Sequence, residues 1–331
     1  MLIQRQGYLP FIYPDVVESK LYNFSYMYSS QEAKPFLKWA GGKRQLLPQL
    51  KKYFPKELCE KGKIKNFHEP FLGSGAVFFW VAQHCNIEKS FLNEINPEIY
   101  LCYITIKKDV DLLIEELKAL DSQYKSSDAA ERKDLFYKIR TEYNTTRKPS
   151  IFKRYIPAIA ARRAAMTIFL NRTCFNGLYR VNSNGDFNTP HGRYPSPRIC
   201  DAQNLLKVSK LLENVEISNK DFASIRTTVK KDSFVYFDPP YKPVSATASF
   251  TAYTSPDFGD KDQARLARLV RTLDKRFKAK IMLSNSSPDS DFFEKLYSGF
   301  HIEKIVASRF INCDASKRGK VAEILVMNYQ N

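Results

Sequence analysis

Long apolar runs are missing from this 331-residue chain. No stretch approaches the ~18 residues that would suggest a membrane helix, so membrane attachment through a spanning segment is not expected. The first residues are polar and aromatic, without the apolar core of a secretory signal, so the expected location is the cytosol. Cysteines are few and scattered, at 59, 85, 102, 174, 200 and 313, with no CxxC pair. The four histidines, His68, His84, His191 and His301, do not stand at ligand spacing with them. That pattern argues against a disulfide framework and a zinc site and for buried, reduced thiols; no metal is expected.

Acidic residues are the other shortage. Against 52 Lys+Arg there are only 35 Asp+Glu, a formal charge of +17. A chain this basic usually meets a polyanion, whose counterions it displaces. The imbalance is sharpest between Arg140 and Tyr194. There Arg140, Arg147, Lys148, Lys153, Arg154, Arg162, Arg163, Arg172, Arg180 and Arg193 face only Glu142 and Asp186. The stretch reads as a phosphate footprint.

Periodicity organises the text from Phe36 onward, and residues 1–32 form an appendage without a clear period. Leu46 to Tyr53 reads as a short helix, Lys65 to Phe71 as a strand ending at a Gly-Ser-Gly turn, and Ala76 to His84 as a helix. Ser90 to Leu92 is a second strand, and Pro97 opens a helix toward Lys107. From about 109 to 171 the pattern is helical, after which Ser183-Asn184-Gly185-Asp186 is a hairpin-turn candidate. Strands then recur at Val215 to Ser218, Ser233 to Phe237 and Lys280 to Ser284, around a helix from Asp262 to Phe277. His301 to Val306 and Ala322 to Tyr329 look like a closing pair of strands. Alternating strands and helices predict an α/β sheet covered on both faces, interrupted by a mainly helical insertion that carries a hairpin. The expected division is a catalytic part at 33–102 and 200–331 around an insertion at 103–199.

Three constellations carry chemistry. The first is Val235-Tyr236-Phe237 running into Asp238-Pro239-Pro240-Tyr241. Proline cannot continue a central strand, so the carboxylate and the ring are left at the carboxyl edge of the sheet, where α/β folds bind ligands. An exocyclic amine on a nucleobase is a poor nucleophile because its lone pair is delocalised into the ring. An Asp carboxylate and a proline-segment carbonyl that accept its hydrogens favour the tetrahedral nitrogen that attacks a methyl group. The neighbouring aromatic can stack on the base, worth ~1–3 kcal/mol. The second is Glu69-Pro70-Phe71-Leu72-Gly73-Ser74-Gly75, where glycine lets the backbone approach a ligand. Its GxG is not a dinucleotide fingerprint, because position 78 is Phe, and Gly42-Lys43-Arg44 does not complete a P-loop. Glu94, some twenty residues on, is placed to meet ribose hydroxyls. The third is Lys38-Trp39-Ala40-Gly41-Gly42-Lys43, in which Lys43 could pair with a carboxylate of the same ligand.

These blocks occur in one order with FNGLYRVNSNGDFNTPHGRY at 175–194, SATASFTAY at 245–253 and VAEILVMNY at 321–329. In this the chain resembles the Dam-type, D12-class DNA adenine-N6 methyltransferases over roughly residues 35 to 329. The resemblance implies a Rossmann-like S-adenosylmethionine-dependent methyltransferase fold with an inserted target-recognition domain. It implies methylation of adenine in GATC of double-stranded DNA after base flipping, with S-adenosylhomocysteine as product. Carried over by motif, Asp238, Pro239, Pro240 and Tyr241 would hold the base. Trp39, Lys43, Glu69, Pro70, Phe71, Gly73, Gly75, Glu94, Asp221, Phe222 and Asp238 would meet the cofactor. Lys38, Leu178, Arg180, Pro190, Arg193 and Tyr194 would read or position DNA. Glu94 stands where the family usually has Asp, and residues 1–32 have no counterpart. The resemblance is compatible with a bacterial or phage-type cytosol and with a cognate restriction endonuclease acting on the same site, not in a stable complex. Alternatives are another short target, cytosine N4, RNA, or a catalytically silent DNA-binding regulator; the intact Asp238 and Tyr241 argue against the last.

Asp238→Ala is expected to leave the circular dichroism spectrum unchanged and to cut methyl transfer by ~10²-fold or more. Tritiated-methyl transfer above a tenth of wild type would remove Asp238 from the catalytic set.

Overall fold

The computed structural model describes residues 32–39, 41–147, 152, 154–242, 258–287, 290–308 and 320–330. Residues 1–31 of the expected appendage, Ala40 and the 245–253 block lie outside them. Residues Ala33–Asn331 make one compact unit.

The sheet is built from β1 (Ile64–Glu69), β2 (Ile87–Asn93), β3 (Val215–Ser218), β4 (Ser233–Phe237), β5 (Lys280–Ser286), β6 (His301–Ser308) and β7 (Lys320–Met327). Its order is β3-β2-β1-β4-β5-β7-β6, with β7 antiparallel to both its neighbours and the rest parallel. Strand order reverses between β1 and β4, which makes the crevice beyond their carboxyl ends the natural ligand site. Every residue of β4 is buried, as a parallel strand covered on both faces requires. Phe234 and Tyr236 enter one hydrophobic cluster and Val235 and Phe237 the other, the period of two that a strand imposes.

Short helices α1 (Leu47–Leu50) and α2 (Lys56–Cys59) precede the sheet. The expected single helix over 46–53 is broken into a short α-helix between 3-10 turns at Lys43–Gln45 and Lys51–Tyr53. Helix α3 (Ala76–His84) falls where the pattern predicts it, and α4 (Pro97–Lys108) starts at a cap in which Asn96 Oδ1 accepts from the Glu98 amide at 3.0 Å. The helical middle resolves into α5 (Val110–Ser126), α6 (Ala129–Thr145) and α7 (Pro157–Thr173), packed with α4 on the Phe234/Tyr236 face. Helix α6 begins at a reciprocal capping box between Asp128 and Glu131. Then follow α8 (Ala202–Leu212), α9 (Asp260–Phe277) and α10 (Phe292–Leu296). Helix α9 lays Leu266, Val270 and Leu273 on the opposite face of the sheet.

The hairpin expected over 176–194 is looser than predicted. It has isolated bridges, Val181 to Phe187 and Cys174 to His191, instead of strands. The turn itself forms: Asn182 Oδ1 accepts from the amides of Asn184 and Asp186, and Gly185 takes φ of 82°.

The basic stretch is also not one footprint. Arg163 is buried, with its guanidinium bidentate on Glu98 at 2.9 and 2.6 Å and 3.7 Å above the Tyr143 ring. Arg162 pairs with Glu142 and Glu116, and Arg172 donates to the Phe36 carbonyl. Besides Glu142, the acids that neutralise this segment are Glu98 of α4 and Glu116 of α5, too distant in the chain for a local charge count to include. Lys148 and Lys153 lie outside the described residues.

Arg163→Ala should destabilise the fold by about 3–5 kcal/mol, because the buried Glu98 charge keeps only the longer contact with Arg147, at 3.7 Å. The double change Glu98→Leu with Arg163→Met should recover most of that loss in urea unfolding, since neither charge then stands alone.

Candidate active site

Four strand ends and the segment before α1 converge at the switch point. Asp238 leaves β4, and its Oδ1 lies 2.7 Å from Lys43 Nζ, an ammonium only 3% exposed. Lys43 also donates to the Gly41 carbonyl at 2.9 Å and sits 4.6 Å from the centre of the Tyr241 ring. The expectation that Lys43 answers a ligand carboxylate therefore meets a different arrangement: its charge is engaged by Asp238. Tyr241 donates its hydroxyl to Glu323 Oε2 at 2.7 Å. Glu323 reaches it because β7 runs antiparallel beside β5, which sets Glu323 opposite Ser286 at the carboxyl end of β5.

The loop after β1 is shaped by close approach. Gly73 has φ of 49°, and a Cβ there would come within 2.9 Å of the Trp39 ring. Gly75 has φ of 69°, and a Cβ there would meet the Tyr103 hydroxyl at 2.7 Å. Only glycine fits both demands. Tyr103 donates to the Gly73 carbonyl at 3.0 Å, and Glu94 Oε2 accepts from the Gly73 amide at 2.8 Å. Glu94 Oε1 accepts from the Asn96 amide, also at 2.8 Å. A carboxylate has about four acceptor positions, so Glu94 holds the loop and keeps capacity for hydroxyls. Asn93 bonds the Pro70 carbonyl and both backbone groups of Lys220, which ties the loop to the segment carrying Asp221 and Phe222. Phe71 stacks on Phe222 with centroids 5.3 Å apart. Arg265 pairs with Asp221 and lies over the Phe222 ring.

Among the described residues of the site, carboxylates outnumber cations. Glu69, Asp238 and Glu323 gather around Lys43, and Glu69 is fully enclosed, with Oε2 buried and without a hydrogen-bond partner among the described residues. Burial, with the Asp238 charge added, pushes the Glu69 carboxyl well above the usual range. Burial also raises Asp238 to about 6, with Lys43 holding it down against that rise. Burial raises the Tyr241 hydroxyl well above its ordinary value, and the nearby Asp238 and Glu323 charges add to the rise. The glycine cradle, the buried Glu69 oxygen without a partner and the Glu94 carboxylate are what a nucleoside-bearing cation fits.

The residues expected to meet DNA lie along a second group. Lys38 exchanges two backbone hydrogen bonds with the Asn171 side chain, and its ammonium lies 4.7 Å from the Tyr194 ring centre. The Tyr194 hydroxyl accepts from the Asn176 amide at 3.2 Å. Arg180 is exposed and braced on Asn188 Oδ1 at 2.7 Å, and Pro190 and Arg193 are exposed, the latter at φ of 58°. Leu178 is buried, its carbonyl accepting from Thr189. Tyr179 connects the two groups, with its ring 5.9 Å from that of Trp39.

This geometry agrees with what the chain is similar to. Residues 39–311 match the family model of D12 class N6 adenine-specific DNA methyltransferases. The chain belongs to that family. It is 52% identical to the type II methyltransferase M.MjaIII of Methanocaldococcus jannaschii over 90% of this chain and 100% of the relative. It is 39% identical to the type II methyltransferase M1.LlaDCHI of Lactococcus lactis over 90% and 96%. It is 33% identical to the DNA adenine methylase of Haemophilus influenzae over 89% and 93%. The chain is an adenine-specific DNA methyltransferase, and enzymes of this kind draw their methyl group from S-adenosylmethionine.

Glu323, Gln263, Asn285 and Arg265 were not singled out by sequence. Each had a signal. Glu323 is an acid inside an apolar closing strand, and Gln263 shares a helical stripe with Leu266, Ala267 and Val270.

The Asp238 value sets a pH dependence. The carboxylate accepts hydrogen bonds only when ionised, so kcat/KM should fall about tenfold per unit as pH drops below about 6. Lys43→Met removes the charge that holds Asp238 down, and should move that acid limb upward. An unmoved limb in the variant would show that another group titrates there.

Proposed function

We propose that the chain methylates N6 of adenine in GATC of double-stranded DNA, with S-adenosylmethionine as donor and the target base turned out of the helix. The observation that carries this reading is the Asp238 carboxylate, set beside Tyr241 at the strand-order reversal and ion-paired to a buried lysine. When bound, the cofactor supplies an electrophilic methyl group on a positively charged sulfur.

In this reading the chain's own groups divide the work. Asp238 accepts a hydrogen of the target amine and takes up the proton released on transfer. The carbonyls of the Pro239-Pro240 turn offer the second acceptor, and neither proline has an N–H to compete for it. The Tyr241 ring stacks on the base while its hydroxyl is held by Glu323. Trp39, Pro70, Phe71, Gly73 and Gly75 line the cofactor, with Glu94 toward the ribose and Asp221 and Phe222 at the adenine. Asp238, before the base arrives, lends negative potential to the cationic end, and a cation beside Glu69 would favour the ionised form that burial alone disfavours. Lys43 belongs to this set through Asp238. Turning the base out costs a few kcal/mol, which stacking and these hydrogen bonds offset.

The target-recognition role falls to the helical and hairpin region at 103–199 together with Lys38. Arg180 is exposed, and Asn188 occupies only part of its donor fork. Two remaining donors can meet O6 and N7 of guanine in the major groove, worth ~1–3 kcal/mol of discrimination. Leu178, Pro190, Arg193 and Tyr194 shape and position this arm against the duplex. Support for GATC as the sequence comes from the blocks shared with the Dam type around Arg180.

Arg180→Ala should lower kcat/KM on GATC and leave single-substitution duplexes altered at an outer base pair nearly unchanged, which relaxes the preference. The measurement is kcat/KM on each duplex at two salt concentrations. A uniform fall on every duplex, with a salt slope reduced by about 1, would make Arg180 a phosphate anchor instead.

A further inference from the structure

The turn after β4 has an unusual problem of support. Pro239 and Pro240 offer no N–H, so the segment cannot be fixed by donating hydrogen bonds, and its carbonyls are its remaining backbone handles. Two of them are gripped. The Pro240 carbonyl accepts from Gln263 Nε2 at 3.1 Å, and the Lys242 carbonyl accepts from Ser286 Oγ at 2.8 Å. Gln263 sits in the first turn of α9 with no exposed surface.

What lies behind Gln263 decides which way its amide faces. Its Oε1 accepts from Asn285 Nδ2 at 3.1 Å, and Asn285 Oδ1 in turn accepts from the Ser286 backbone amide at 2.9 Å. A backbone N–H can only donate, so it fixes Asn285, which fixes Gln263, which must then present its NH2 group to the Pro240 carbonyl. Asn285 and Ser286 are as fully enclosed as Gln263. A reversed amide at either residue would bury two facing acceptors, which the dry surroundings penalise strongly. The relay has one arrangement, and its output is the position of the Pro-Pro turn.

We infer that Gln263, oriented by Asn285, is a positioning residue for methyl transfer: it holds the turn so that Asp238 and the proline-segment carbonyls accept the hydrogens of the target amine together. The inference rests on the reading of Asp238–Tyr241 given above. Neither Gln263 nor Asn285 touches the reacting atoms in this account. Their loss should therefore appear in the chemical step and not in binding. A reacting group misplaced by about 1 Å costs up to about 10²-fold.

The test uses the full-length protein. Gln263→Leu keeps the volume and removes both hydrogen bonds. Single-turnover methylation of a GATC duplex is expected to slow by about 10- to 100-fold. The Kd values for S-adenosylmethionine and for the duplex should stay within about twofold, and the melting temperature should fall by several degrees, because Asn285 Nδ2 and the Pro240 carbonyl lose their partner. Asn285→Ser, which removes the donor that orients Gln263, should give the same pattern, and it decides the matter if Gln263→Leu does not fold. The double variant should be no slower than the worse single one, because residues that act as a unit are non-additive. An unchanged single-turnover rate, a loss confined to Kd, or losses that multiply in the double variant would each overturn the inference. The wild-type control separates this from the underlying reading: a wild type that leaves the duplex unmethylated fails the GATC assignment, whereas a wild type that methylates beside an equally fast Gln263→Leu fails only the inference.

Discussion

The contact on which the site depends is the ion pair between Lys43 and Asp238. Burial of carboxylates is expensive unless a counter-charge or hydrogen-bond donors meet them. Among the described residues, Glu69 and Asp238 lie near the Lys43 ammonium, and Glu323 lies near Asp238. Lys43 keeps Asp238 ionised at neutral pH, and it can do so because it is itself nearly sealed from water. The same ammonium lies against the Tyr241 ring, so one side chain fixes both the acceptor and the stacking surface. Glu323 then holds Tyr241 from the far side, through its hydroxyl. The remaining shortfall of positive charge is what a cationic cofactor would meet in the proposed function.

The sheet order explains how these groups meet. Lys43 precedes β1, Asp238 and Tyr241 follow β4, and Glu323 rides on β7, which enters beside β5 in the opposite direction. A purely parallel continuation would have carried the corresponding residue toward the other end of the sheet. The antiparallel β7 thus has a chemical consequence: it delivers an acid to the carboxyl edge from a strand that begins there.

Much of this was legible in the sequence because the informative groups are local. The all-apolar run Phe234 to Phe237 announces a central strand, and the Pro-Pro pair announces its end. The glycines at 73 and 75 announce a backbone held close to something, and the structure shows what: Trp39 on one side and Tyr103 on the other. The misreadings share a different origin. The basic stretch from Arg140 to Arg193 looked nearly unpaired because two of its partners, Glu98 and Glu116, belong to earlier helices. The hairpin promised by Asn184-Gly185 is reduced to isolated bridges, since its polar arm has no sheet neighbour to extend its ladder.

The residues that sequence did not single out follow the same logic one step further from the chemistry. Gln263 is polar on a stripe whose other members are apolar, and Glu323 is charged beside the buried run Ile324 to Met327. A buried polar group without a local partner must find a distant one, because the interior does not tolerate it alone. Each such exception in a hydrophobic pattern therefore points across the fold to something that needs a donor or an acceptor. For Gln263 that is a carbonyl in a turn stripped of N–H groups, and for Glu323 it is the hydroxyl of Tyr241. Both lead back to the four residues that follow β4. Support for a reactive segment is written into the sequence as breaks in the patterns of the elements around it, and the fold is needed to show where each break is answered.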